Sequence, residues 1–235
     1  GWENVPIKNM LEKEFGISVF IEHDPNCMAM SEKWFGIAKD FNNYLFLRLS
    51  MGIGMSIILN GEIFRGAEGN AGEFGHIIMD LNGPRCRCGN YGCLEVYSSC
   101  RSILQRAQDA MESNRSDCLK KLAGVKGVLD FDSVITALNQ GDDAINSIID
   151  DACTFLGVGI SNLINLFNPE LIVLAGELSG CDQIIYRINK VINQKRWKNS
   201  KVNIAISKLD SNAAALGAAA IIIHKFFKGD IHALQ

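Results

Sequence analysis

Residues 75–95 read GHIIMDLNGPRCRCGNYGCLE, with His76, Cys86, Cys88 and Cys93 spaced H-x9-C-x-C-x4-C. Three of the chain's eight cysteines and one of its four histidines fall in this stretch. Three thiolates and an imidazole form a complete tetrahedral donor set for zinc, with no position left open for water. Gly83, Pro84, Gly89 and Gly92 let the backbone turn tightly enough for such near neighbours to reach one ion. The spacing therefore predicts a closed, structural zinc loop over 76–93. Three unrelated thiols beside a surface histidine would account for neither the clustering nor the loop composition.

A chain of 235 residues that is 48% hydrophobic and 21% charged can form one large domain or two lobes. The net charge of -3 leaves no electrostatic footprint for nucleic acid, so any DNA-contacting segment is expected outside these residues. No uncharged apolar run approaches the roughly 20 residues that span a bilayer, and no membrane partner is expected. The opening GWENVPIK is unlike a signal peptide. Cys27, Cys100, Cys118, Cys153 and Cys181 are scattered through apolar or helical patterns. They read as reduced thiols, which points to the cytoplasm. The chain lacks an initiator methionine and begins as if mid-fold, so a fragment or processed form is expected.

Along the chain, a helix is expected from about Ile7 to Phe15 and a strand from Ile17 to Glu22. Asp24 as N-cap and Pro25 at N1 then open a helix to about Ala38. Strand Asn43–Ser50 leads into a hairpin around Asn60-Gly61, and a short strand is expected at His76–Asp80. Helices dominate from Val96: 99–113, a less regular 115–129, 131–140 and a long apolar stripe over 142–167. A buried strand at Leu171–Ala175, a helix at 181–195, a strand at 202–206 and a final helix at about 211–227 complete the pattern. Alternating strands and helices predict an α/β fold with a mostly parallel sheet.

Asp24 lies where a strand gives way to a helix, a place where ligand sites of open α/β sheets collect. Its carboxylate could accept a sugar hydroxyl's hydrogen bond, or its proton in phosphoryl transfer; Asp-Pro is equally a plain helix cap. Glu73 and Glu95 bracket the zinc loop, which would hold both in place and lock His76. Carboxylates and imidazole read vicinal hydroxyls, although both glutamates could instead be solvated or paired with Arg85, Arg87 or Arg101. Ser50-Met51-Gly52-Ile53-Gly54 resembles a phosphate-binding glycine loop, but with only Gly52 and Gly54 remaining it reads more simply as a hairpin turn.

Together these residues resemble the ROK family of sugar kinases and sugar-responsive repressors over nearly the whole chain. G-H-x9-C-x-C-G-x-x-G-C-x-E is similar to the family's zinc signature. GWENVPIK, the E-x-D-x-N segment Glu22–Asn26, NPELIVLAGEL and the LGAAA run at Leu216–Ala220 follow in family order. The resemblance implies an actin-like, ribonuclease H-like, hexokinase-type ATPase fold of two lobes, N-terminally truncated. Residues 1–41 would be what remains of the N-terminal lobe, with the final helix at about 211–227 packing back on it; 42–210 would form the C-terminal lobe. His76, Cys86, Cys88 and Cys93 would bind zinc; Asp24, Glu73, His76 and Glu95 would contact a monosaccharide. Asp24 would also be the catalytic base in a kinase member, and Gly52 and Gly54 the remnant of its phosphate loop.

Two departures bear on activity. Kinase members carry G-T-G-I-G where this chain has S-M-G-I-G, so Met51 removes a hydroxyl and adds bulk at the phosphate position. Glu177, in A-G-E-L, would place a carboxylate beside nucleotide phosphates. His23 also replaces the asparagine that usually precedes Asp24. The resemblance is therefore to the repressor branch, in particular xylose-repressor-like or N-acetylglucosamine-repressor-like regulators. It implies a dimeric sugar sensor that reaches DNA through a helix-turn-helix not present in this chain. The alternative is an ATP- and magnesium-dependent sugar kinase.

Overall fold

Apolar runs with both faces buried become the centre of a sheet. The computed structural model describes residues 4–124, 127–198 and 200–228, so the first three residues of the GWENVPIK segment lie outside it. Five strands, β1 (Tyr44–Leu49), β2 (Ile53–Leu59), β3 (Glu62–Ile63), β4 (Leu171–Ala175) and β5 (Asn203–Ile206), stand in the order β3-β2-β1-β4-β5. β1, β4 and β5 are parallel, whereas β2 pairs antiparallel with both β1 and β3. The sheet is thus mixed rather than mostly parallel. Its antiparallel edge follows from Asn60 and Gly61, whose positive φ of 54° and 80° suit a tight two-residue hairpin turn.

Helices cover both faces. α1 (Ile7–Phe15) and α2 (Asp24–Trp34) precede the sheet. α3 (Glu95–Ser98), α4 (Cys100–Glu112), α5 (Asp117–Ala123), α6 (Phe131–Asn139) and α7 (Asp143–Phe167) lie between β3 and β4. α8 (Asp182–Lys195) and α9 (Ala213–Lys228) flank β5. Strand alternation divides the core: Leu45, Leu47 and Leu49 of β1 pack with α4, α6, α7 and α8. Tyr44 and Phe46 point the other way, towards α2 and α9. Helix α7 is long and apolar enough to cross a membrane by length and composition, yet it is a core helix. Its buried stripe runs from Ile145 to Ile164, and its outward Asp150 and Asp151 pair with Arg187 and Arg106.

α2 and α9 pack closely, with the Ser31 hydroxyl donating to the Ala213 carbonyl at 2.7 Å. Buried Tyr44 donates its hydroxyl to the Ala29 carbonyl of α2 at 2.7 Å, fixing the helix to the sheet. Tyr44→Phe removes that bond while preserving the ring. It is expected to cost about 1 kcal/mol, read as a lower urea midpoint with an unchanged slope.

Two expected strands are absent. Residues 17–22 have no regular structure; Ile17 and Ile21 are exposed, and no strand among the described residues pairs with them. Residues 76–80 form one end of a 3-10 turn (Phe74–His76) and a single bridge, Ile78 to Cys93. α2 stops at Trp34 rather than Ala38, because buried Glu32 caps the next turn through the Ile37 N–H at 2.9 Å.

Candidate functional site

The loop after β3 is stitched by its own backbone. Met79 N–H donates to Gly92 O and Gly92 N–H to Pro84 O, both at 2.8 Å, while Cys86 N–H donates to Asn90 O at 2.7 Å. Gly92 has φ +65°, and a Cβ there would stand 1.6 Å from Asp80 O, so no other residue fits. These bonds bring His76, Cys86, Cys88 and Cys93 together, with one ligand atom from each within 4.8 Å of all the others. Cys86 Sγ is 3.6 Å from His76 Nδ1 and Cys88 Sγ 3.6 Å from Cys93 Sγ. Tetrahedral zinc, with bonds of about 2.3 Å to sulfur and about 2.0 Å to nitrogen, sets roughly 3.5 Å for a sulfur–nitrogen pair and roughly 3.8 Å for a sulfur–sulfur pair. The donor set fits the ion by number, type and spacing.

The thiols respond to this crowding. Burial, with Cys88 and Cys86 beside it, pushes Cys93 up to about 12. Cys88 is lowered, chiefly by the Asn90 backbone N–H. A divalent cation would let all three ionise, and its role would be to hold the loop's shape. Away from the loop, burial pushes Cys27 up to about 11 and Cys100 and Cys153 up to about 12, as inert core thiols require.

The other candidates gather around the first residues of β2. There, glycines allow close approach. A Cβ on Gly52 would lie 2.8 Å from Glu95 Oε2, on Gly54 2.8 Å from Pro25 Cγ, and on Gly75 2.4 Å from Ile53 O. The starts of α2 and α3 and the 3-10 turn carrying His76 therefore meet at one point. Ser50–Gly52 is the turn between β1 and β2, with Leu49 paired to Ile53 and Met51 exposed. Glu95, its side chain only 12% exposed, accepts the Ile53 N–H at 3.0 Å and faces Arg87 at 3.3 Å. Glu73 is solvated, with its carboxylate 3.9 Å from His76 Nε2.

Asp24 does not cap its helix; His23 holds the N-cap position and makes no side-chain bond there. The Asp24 carboxylate pairs instead with Arg48 of β1, which is opposite Gly54. Glu22 accepts from Asn26 at 2.8 Å and from Arg65 Nε at 3.1 Å, bracing the turn that presents Asp24. The Asn26 and Arg65 bonds hold Glu22 below its ordinary value against the opposing effect of burial. Sequence reasoning missed Arg48 and Arg65, since nothing local marks an arginine on a strand as a partner for a helix start. From Asp24, a cleft of about 550 Å³ follows the carboxyl ends of β1, β4 and β5, past Ser50, Gly176, Glu177 and Asp210. It carries three carboxylates and the Arg48 guanidinium.

Comparison with known proteins gives a consistent picture. The model "ROK family" matches residues 1–225. A putative xylose repressor from Caldicellulosiruptor sp. (strain Rt8B.4) is 35% identical over 225 residues, covering 94% of this chain and 56% of that protein. The DNA-binding transcriptional dual regulator NagC of Escherichia coli (strain K12) is 34% identical, covering 97% of this chain and 55% of its own length. The chain thus spans little more than half of these relatives. Among solved structures, a ROK family glucokinase from Streptomyces griseus, in complex with glucose and AMPPNP, superposes with TM-score 0.82 at 27% identity. That match covers 94% of this chain and 73% of the glucokinase. A ROK family transcriptional regulator, a homologue of the E. coli MLC protein, gives TM-score 0.80 at 30% identity, covering 94% and 56%.

Proposed function

The chain belongs to the ROK family and has its actin-like ATPase fold, and from that premise we propose that it is the sugar-sensing part of a ROK transcriptional repressor. Zinc at His76, Cys86, Cys88 and Cys93 holds the loop that presents His76 and Glu95. A monosaccharide is bound by Asp24, Glu73, His76 and Glu95 between two lobes, the first including residues 1–41 and the second 42–210. Sugar binding shifts the population of lobe arrangements, which biases a DNA-binding segment elsewhere in the protein, acting as a cytoplasmic dimer.

One observation supports this reading: Glu95 and the turn carrying His76 close on the first residues of β2, beside Pro25 of α2. The Ile53 N–H in the turn that would meet phosphate is taken by Glu95. Glu177 and Asp210 share the Asp24 cleft, and three carboxylates there would repel a nucleotide's phosphates. The kinase alternative draws on the close likeness to a glucokinase and on the same cleft.

Isothermal titration with xylose, N-acetylglucosamine, glucose and their epimers, with and without ATP and magnesium, tests the proposal. One sugar should bind without ATP. Asp24→Asn and Glu95→Gln should each weaken it by about tenfold or more, since a buried hydroxyl loses a charge-assisted partner. Sugar-dependent ATP turnover by the full-length protein would overturn the sensor reading in favour of the kinase.

A further inference from the structure

Four arginines gather beside the His76–Cys93 loop, in a place that shares no lining residue with the Asp24 cleft. Arg85 and Arg87 come from the loop, and Arg101 and Arg106 from the first two turns of α4. They line a groove of about 350 Å³ floored by Val96 and Ser99. In a chain of net charge -3, such a local excess of positive charge is out of proportion. Arg87 is committed to Glu95, and Arg106 to Asp151 and the Ile148 carbonyl. Among the described residues, the side chains of Arg85 and Arg101 have neither a hydrogen bond nor an ion pair. Glu95 is the single carboxylate of the lining, and its charge is already met by Arg87 and the Ile53 N–H.

We propose that this groove is a second binding site, for the phosphate group of a small phosphorylated metabolite. Two uncommitted guanidinium forks, one from the loop and one from α4, suit a dianion, each offering paired N–H donors. Arg87 could turn a further N–H to the same anion. The volume lies at the lower end of small-molecule pockets, which favours a compact ester over an extended acidic segment. The arginine stems supply apolar walls for the ester's carbon skeleton. An anion drawn here competes with Glu95 for Arg87, so occupancy would be felt at the start of β2. The site stands whether the neighbouring one serves a sensor or a kinase.

The test titrates zinc-loaded protein with inorganic phosphate, glycerol 3-phosphate and a polyglutamate peptide, at ionic strength held constant with chloride. Heat and the backbone amide resonances of residues 85–106 are followed. Saturable binding of glycerol 3-phosphate at about millimolar or tighter affinity is expected. Arg101→Gln should weaken it by about tenfold, Arg101→Lys by less, and Arg85→Gln combined with Arg101→Gln should abolish it. Arg101 is exposed and unpartnered, so its loss should leave far-UV circular dichroism and zinc content unchanged. No saturable binding, or equal affinity in the double variant, would overturn the proposal. Tighter binding of polyglutamate than of glycerol 3-phosphate would also overturn it, in favour of an acidic protein segment.

Discussion

Removing the metal with a chelator, or replacing Cys93 by serine, is expected to lower stability by about 3 kcal/mol and Tm by roughly 6–12 °C. Structural zinc in isolated fingers contributes an apparent 10–16 kcal/mol or so, because the apo peptides are unfolded. Here only part of that reaches the whole molecule. The sheet and its helices make their own core, and residues 80–92 can open locally without them. The cost beyond the loop comes through Cys93, which is fully buried and bridged to Ile78, and through Leu94 N–H, bonded to Ile77 O at 2.9 Å. Proteolysis should become confined to 82–92 in the metal-free protein, and metal analysis should give about one zinc per chain. Cys118→Ser, which removes a thiol far from the loop, should stay within about 0.5 kcal/mol. If metal-free protein melts at the same temperature and is cut no faster, the loop is not a zinc site.

The second large effect concerns one glycine. In an exposed helix, Gly→Ala usually stabilises by up to about 1 kcal/mol. Gly217→Ala in α9 should do the reverse, destabilising by about 2 kcal/mol. A Cβ there would stand 1.6 Å from the Cys27 carbonyl oxygen and 2.3 Å from its carbon, both backbone atoms of α2. Neither can rotate away. The helices would have to separate, loosening Met30, Ile221 and the Ser31 to Ala213 bond. Denaturant unfolding of Gly217→Ala beside Ala219→Gly checks this. The second change, on the exposed side, should cost about 1 kcal/mol from propensity alone. A stabilised Gly217→Ala would show that the two helices are not locked together.

Most elements were legible because their cause is local. The Asn60-Gly61 turn, the apolar run Leu171–Ala175 and the α7 stripe each match a structural period within a few residues. The clustering of His76, Cys86, Cys88 and Cys93 was legible for the same reason, since all four lie within one short segment. Residues 17–22 show the limit: their β-rich composition is real, but a strand needs a neighbour and none of the described residues supplies one. Asp24 shows another. As a residue before proline it reads as a cap, yet an arginine 24 positions later draws its carboxylate away. The glycine pair at 52 and 54 read as a hairpin turn, but its local pattern did not show that it meets the Glu95 carboxylate and the Pro25 ring. Contacts across the fold decided these cases, and no local pattern encodes them.

The seam between α2 and α9 also sets an order of events in folding. Ser31 and Ala213 are 182 positions apart, so their contact closes almost the entire chain. During synthesis at about 5–20 residues per second, α2 waits roughly 10–35 s before its partner exists. Through that interval Met30, Ala29 and the outward face of β1 lack the cover that α9 provides, and β4 joins them only near its end. The opposite face, closed by α4 to α8, is complete earlier. The nascent protein therefore passes through a state with one sheet face finished and the other bare, which is where chaperone engagement or misassembly would concentrate.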